Sequence, residues 1–138
     1  MKKNKNIGRG VLAFFILLGI LAVLWRHRQD RLLESDHELL NNGLIVNVTS
    51  GGYTGGGVTF SFYLDEKKYE NTMPFPWTCE DLILMSLSYF QKRKYQVVFQ
   101  KGFPQNSKIL LLKSQYEKYG LDIPEELKGL ISELSECE

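Results

Sequence analysis

Fifteen consecutive apolar residues, Val11 to Trp25, lie between Lys2, Lys3, Lys5 and Arg9 on one side and Arg26, Arg28 and Arg31 on the other. Such a run has no polar face to give to water, so it predicts a membrane segment before anything else about the chain is decided. At a rise of ~1.5 Å per residue the run covers about 22 Å of a hydrocarbon layer ~30 Å thick. Its flanks make up the difference: Ile7, Gly8 and Gly10 extend the helix, Arg9 and Arg26 reach toward headgroups, and Trp25 suits the interface. The expected contact with the lipid bilayer therefore spans residues 7–25, with Val11, Phe14, Phe15, Leu18, Leu21, Leu24 and Trp25 as its anchoring residues.

A cleaved signal peptide is the rival reading, since a basic start followed by an apolar stretch of this length is within signal range. The exit argues against cleavage: Ala22 is followed by bulky Val23, Leu24 and Trp25, with no pair of small residues and no cysteine for lipid attachment. A retained signal anchor is favoured. The N-terminal side offers four basic side chains and the α-amine against three arginines beyond the run. That balance predicts a single-pass protein of a bacterial inner membrane, N-terminus cytoplasmic and soluble part on the periplasmic or outer side.

Four regions follow: a basic tail over 1–10, the anchor over 11–25, a helical stalk over 26–42 and a soluble α+β domain over 43–138. Residues 1–40 carry seven Lys/Arg against four Asp/Glu, and 41–138 carry ten against twelve. A slightly acidic soluble part lacks the basic face that nucleic acid requires, so no nucleic-acid partner is expected. With 43% hydrophobic residues, seven Tyr, eight Phe and two Trp, the chain has material for one core. Two cysteines, Cys79 and Cys137, have neither zinc nor redox spacing. Outside the cytoplasm they could form one bridge tying the last helix to the central one, the alternative being two unrelated small apolar residues.

Arg26 to Leu40 are helix formers, and Asn41-Asn42-Gly43 reads as the stop. Leu44–Ser50 and Val58–Leu64 read as strands, joined by a connector in which Gly51, Gly52, Gly55, Gly56 and Gly57 fill five of seven positions. A phosphate loop is disfavoured because the glycines lead into strand residues and not into a helix with Gly-Lys-Ser/Thr. After a turn at Asp65-Glu66-Lys67, Lys68–Thr72 should return antiparallel and be stopped by Pro74 and Pro76. Thr78, Glu80 and Asp81 start a central helix that carries Leu82, Ile83, Met85, Leu87, Tyr89 and Phe90 and ends in Gln91-Lys92-Arg93-Lys94. Tyr95–Gln100 and Lys108–Lys113 read as two further strands joined through 102–106. Asp122 is placed as the cap of a last helix with Leu127, Leu130, Ile131 and Leu134 on its apolar stripe. The fold class is thus α+β: a transmembrane helix, then a mostly antiparallel sheet or half-barrel of about five strands with one central and one C-terminal helix.

The run Phe60 to Leu64 with its turn and Lys67-Lys68-Tyr69, then Lys94 to Phe99, then Pro104-Gln105-Asn106-Ser107-Lys108-Ile109-Leu110-Leu111, resembles a loose group of short bacterial proteins. Members of that group have an N-terminal membrane segment and a small β-rich domain, and no assigned function. The resemblance covers about Gly43 to Pro124 and implies an anchored β-rich domain. It departs at Asp65-Glu66, where an Asn-Gly tip is usual, and at the later turn, which lacks a second proline.

No catalytic constellation is legible. His27 and His37 lie ten residues apart on the stalk, and Glu80 and Asp81 are better read as caps than as paired acids. No enzyme activity, cofactor or metal is expected. The leading expectation is a non-catalytic interaction domain with a protein partner, such as an envelope accessory subunit or an immunity-type protein. Its candidate docking loop is Met73, Pro74, Phe75, Pro76 and Trp77, which could alternatively plug the core. The second expectation is a membrane-proximal small-ligand or lipid-binding module, a half-barrel lined by Phe60, Phe62, Tyr89 and Phe99.

Overall fold

The computed structural model describes residues 5–51, 56–76, 79, 83–84 and 87–138, with backbone alone for 5–9. Helix α1 runs Lys5–Ser35, 31 residues or about 46 Å. It is long and apolar enough to cross a membrane. Its large apolar side chains from Val11 to Trp25 each expose 45–69% of their surface, so no other described part of the protein covers them.

α1 ends earlier than the sequence suggests. The Asp36 amide donates to the Leu32 carbonyl and the chain enters strand β1, His37–Thr49. The stalk is therefore helical only as far as Ser35, and Leu39 to Gly43 are strand. Leu39 pairs with Val98 and Leu40 with Val97, and these ladder partners, invisible locally, override the helix propensity of the segment.

Strands β2 (Gly56–Leu64), β3 (Lys67–Phe75), β4 (Tyr95–Gln100) and β5 (Phe103–Ile109) complete one sheet in the order β3-β2-β1-β4-β5. All neighbours are antiparallel. β1 serves both halves: its first part pairs with β4 and its second with β2, with register shifts between Leu40 and Gly43 and between Ile45 and Asn47. Gly43 sits where one half gives way to the other. A Cβ there would collide with Cγ2 of Val97 and lie 3.1 Å from the Tyr95 carbonyl oxygen, so the residue is a close approach of strands and not a helix stop.

The curvature brings the outer strands β3 and β5 face to face, and the Asn71 side chain spans the gap. Its Nδ2 donates to the carbonyls of Gln105 (2.9 Å) and Ser107 (3.2 Å). The result is a partly open five-stranded antiparallel barrel with a helical segment between β3 and β4. That architecture hosts many functions and assigns none. Phe60, Phe62, Tyr69 and Phe99 stack through the interior, with centroids 5.5–6.3 Å apart.

Pro74 does not stop β3 but lies within it, opposite Gly57. β3 has a ladder partner on one side only, so a residue without an N–H is tolerated. The last strand is Phe103–Ile109 and not 108–113, after a two-residue turn with Gly102 at φ +76°. The buried run Leu110-Leu111-Leu112 leads instead into helix α3, Lys113–Tyr119, which the sequence does not announce. Oε1 of Gln115 accepts from the Leu111 and Leu112 amides, at 2.7 and 3.0 Å, and so substitutes for a ladder.

The central helix is described as α2, Leu87–Gln91; the placement of Thr78, Glu80 and Asp81 at its start and of Leu82 and Met85 on its face lies outside the described residues. Asp122 does not cap the last helix. Pro124 precedes a 3-10 turn, Glu125–Leu127, that runs into α4, Lys128–Ser135, and neither has a side-chain cap. Leu127, Leu130, Ile131 and Leu134 are buried as their spacing predicts. Cys79 and Cys137 are joined in a disulfide that closes a separation of 58 residues, tying the segment after β3 to the end of α4.

Two substitutions should shift stability in opposite directions. At the hairpin tip Asp65 and Glu66 have φ of 49° and 63°, the primed-turn geometry that favours glycine, so Glu66→Gly should stabilise by about 1 kcal/mol. Gly43→Ala should destabilise by roughly 1–3 kcal/mol by forcing β1 and β4 apart. Urea unfolding of the detergent-solubilised chain measures both, and a neutral Gly43→Ala would refute the close-approach account.

Candidate functional site

The last turns of α1 are fastened to the head without a linker. Gln29, Asp30, Leu33 and Glu34 share one helical face by their spacing. Leu33 is fully buried in the core. Asn106 Nδ2 donates to the Gln29 carbonyl (2.9 Å) and to Gln100 Oε1 (2.9 Å), Lys108 pairs with Asp30 at 2.6 Å, and Lys118 pairs with Glu34. The His37 ring meets Tyr119 edge-on at 5.1 Å. The first of these contacts lies one helical turn beyond Trp25, so the apolar stretch and the head form one body.

Where α1 passes the seam between β3 and β5, a cleft of about 330 Å³ opens. Trp25, Arg26, Gln29 and Asp30 form its helical wall, Asn71 to Pro74 and Asn106 to Lys108 its strand walls, and Gln115 closes it from α3. Arg26 has no carboxylate within 4 Å among the described residues. Arg28 and Arg31 line a separate, shallower hollow with Leu24, His27 and Leu32. The cleft therefore combines the Arg26 cation with neutral amides, the Thr72 and Ser107 hydroxyls and the paired Asp30–Lys108, a lining that suits an anion or a hydrogen-bonding headgroup.

Behind it, burial pushes the Tyr119 hydroxyl up to about 12, with the Glu34 and Asp30 carboxylates adding to the shift. Burial, then Glu126, raises Tyr116 to about 12. Neither hydroxyl has a hydrogen-bond partner among the described residues. Burial raises Tyr95 as well.

The residues singled out in the sequence fall in different places. Of the proposed docking loop, Met73 and Phe75 are buried in the core on β3, Pro74 is exposed, Pro76 is half-buried and Trp77 lies outside the described residues. The strand continues through Pro74, and its alternation turns the Met73 and Phe75 side chains inward. Phe60, Phe62 and Phe99 are buried and stack in sequence through the barrel interior, while Tyr89 is exposed beneath the Arg93 guanidinium, 4.3 Å from its ring centroid. Gly56 and Gly57 belong to β2, and 52–55 lie outside the described residues, as do Glu80 and Asp81. His27 borders the shallow hollow and His37 begins β1. Among the described residues no group of three or more His, Cys, Asp or Glu could hold a metal ion.

Asn71, Asn106, Lys108 and Gln115 were not legible as site residues. The repeat of polar groups at Gln29, Asp30 and Glu34 around Leu33 marks a contacting helix face, but nothing local names its partners across the fold. Comparisons with protein-family models, with curated proteins and with solved structures give no match.

The buried tyrosines dictate alkaline behaviour. An unfolded tyrosine ionises near 10, whereas Tyr116 and Tyr119 resist to about 12, so their contribution to stability is complete below pH ~10 and lost as pH rises through about 12. Tyrosinate absorbance and circular dichroism followed together should show these groups ionising with loss of the fold. Full tyrosine ionisation in a still-folded head would contradict the burial described.

Proposed function

We propose that the chain is a single-pass protein of a bacterial inner membrane with its N-terminal segment cytoplasmic. Its head is a non-catalytic interaction domain on the outer side, as in an envelope accessory subunit or an immunity-type protein. The observation that carries this reading is the rigid mount of α1 on the head. A head joined at Gln29, Asp30, Leu33 and Glu34 keeps one height and one rotation relative to the bilayer. That restricts what it can meet to neighbours at the same surface and lowers the ordering entropy of meeting them.

Two further observations support it. The bridge between Cys79 and Cys137 suits an oxidising compartment, which favours the outer side. Asp30, which lines the cleft, and Glu34, one turn further along α1, are each engaged by a lysine, which argues for structure over acid–base chemistry. A lipid-binding module is the second reading, favoured by the cleft at the level of Trp25 and not by the filled barrel interior.

Two measurements test the proposal. Alkylation with and without reductant should show both cysteines blocked in the native protein, and Cys137→Ser should lower stability by about 4 kcal/mol for a loop of this length; native thiols that alkylate freely would place the head in a reducing compartment. Crosslinking in intact cells should recover a reproducible protein partner. A flexible insert of about ten Gly/Ser residues between Trp25 and Arg26 should abolish those crosslinks while the head stays folded. Crosslinks that survive the insert would remove the role of the mount.

A further inference from the structure

We infer that the cleft beneath Trp25 binds the phosphate of an anionic phospholipid headgroup, with Arg26 as its charge partner. The inference rests on α1 crossing the membrane. Arg26 is the first residue after the apolar run, about 1.5 Å along the axis from Trp25, and so stands at headgroup depth.

The charge pattern around it is selective. Between Trp25 and Ser35 the helix carries Arg26, Arg28, Asp30, Arg31 and Glu34. The head neutralises both acids, Asp30 through Lys108 and Glu34 through Lys118, and none of the three arginines has a carboxylate partner among the described residues. Cationic charge is left at the bilayer surface. Of the three, only Arg26 lines the cleft; Arg28 and Arg31 border the other hollow.

Gln115 supplies a second recognition group. Its Oε1 is held by the amides of Leu111 and Leu112, which leaves its NH2 as the donor it can offer to the cleft it lines. Guanidinium and amide donors suit a phosphate diester. Exposed Trp25 and Pro74 add an amphipathic wall suited to the lipid carrying that phosphate. A soluble phosphate ester would meet the same donors without using that wall.

The test uses the full chain in detergent micelles doped with equal fractions of phosphatidylglycerol and phosphatidylcholine, read by native mass spectrometry. Retained phosphatidylglycerol should exceed phosphatidylcholine roughly tenfold, as one charge-assisted contact allows. Arg26→Gln should erase the preference, whereas Arg28→Gln and Arg31→Gln keep it. Gln115→Glu preserves the acceptor that holds Leu111 and Leu112 but brings a negative charge into the cleft, and should also erase it. Equal losses from all three arginine variants would mean a diffuse basic collar and would overturn the site. Displacement of bound phosphatidylglycerol by millimolar glycerol phosphate would overturn the lipid assignment in favour of a soluble ester. A chain that floats with phosphatidylcholine vesicles yet shows no phosphatidylglycerol preference overturns this inference alone; one that does not float overturns the membrane reading with it.

Discussion

The burial of Leu33 and the Asn106 bond to the Gln29 carbonyl turn an apolar rod and a small barrel into one object. Burying a leucine contributes about 1.5–3 kcal/mol, and a neutral hydrogen bond about 1. The side chains of the two ion pairs are 31–45% exposed, and the pairs add at most about 1 kcal/mol each. The apolar contact and the amide therefore hold the junction, while Lys108 and Lys118 chiefly set its charge. That division gives each group a different consequence when altered: loss of Leu33 frees the rod, and loss of a lysine leaves the rod in place but adds a bare carboxylate near the bilayer surface.

The barrel depends in turn on β1 serving two half-sheets. A strand of 13 residues can do so only if it bends, and the register shifts at Leu40–Gly43 and Ile45–Asn47 supply the bends. Once β1 bends, β3 and β5 approach with unpaired edges, a situation that invites aggregation unless it is managed. Asn71 bridging to β5, Pro74 in the edge strand and α1 lying over the seam manage it together. The cleft is what remains of the seam between the bridge and the helix, so its position follows from barrel closure.

Elements whose partners are close in sequence were legible, and those paired at long range were not. β4 was found at Tyr95–Gln100 because it is short, β-branched and bounded by charge and glycine, and the 64–67 hairpin follows from its turn. The stripe Leu127, Leu130, Ile131 and Leu134 has helical spacing that no competing partner disturbs. His37 to Gly43 misled because its leucines and charges suit a helix, and only Val97 and Val98, some 60 residues away, make it a strand. Leu110-Leu111-Leu112 misled because a run buried on all sides has no periodicity to separate strand from coil. Met73 and Phe75 read as part of an irregular apolar segment, core plug or docking loop, because proline usually ends a strand, and an edge position is the exception. For the site, the helical wall of Arg26, Gln29 and Asp30 could be placed from the chain, but Asn71, Asn106 and Gln115 arrive through closure of the barrel.

Charge counting alone leaves the proposed orientation nearly balanced, since Arg26, Arg28 and Arg31 would sit on the outer side, against the usual bias toward inside. Pairing between the head and α1 does not remove this conflict, because Lys108 and Lys118 cancel acids and leave all three arginines without a carboxylate partner among the described residues. Retaining an uncompensated Arg26 next to a bilayer makes physical sense if it contacts an anionic headgroup, a basic group there gaining about 1 kcal/mol from the surface. The bridge between Cys79 and Cys137 points outward for a separate reason, redox chemistry, and is unaffected by arginine number. Orientation in this reading thus depends on two independent terms: a covalent one that favours the outer compartment, and an electrostatic one that is tolerable there because lipid, and not the head, satisfies Arg26.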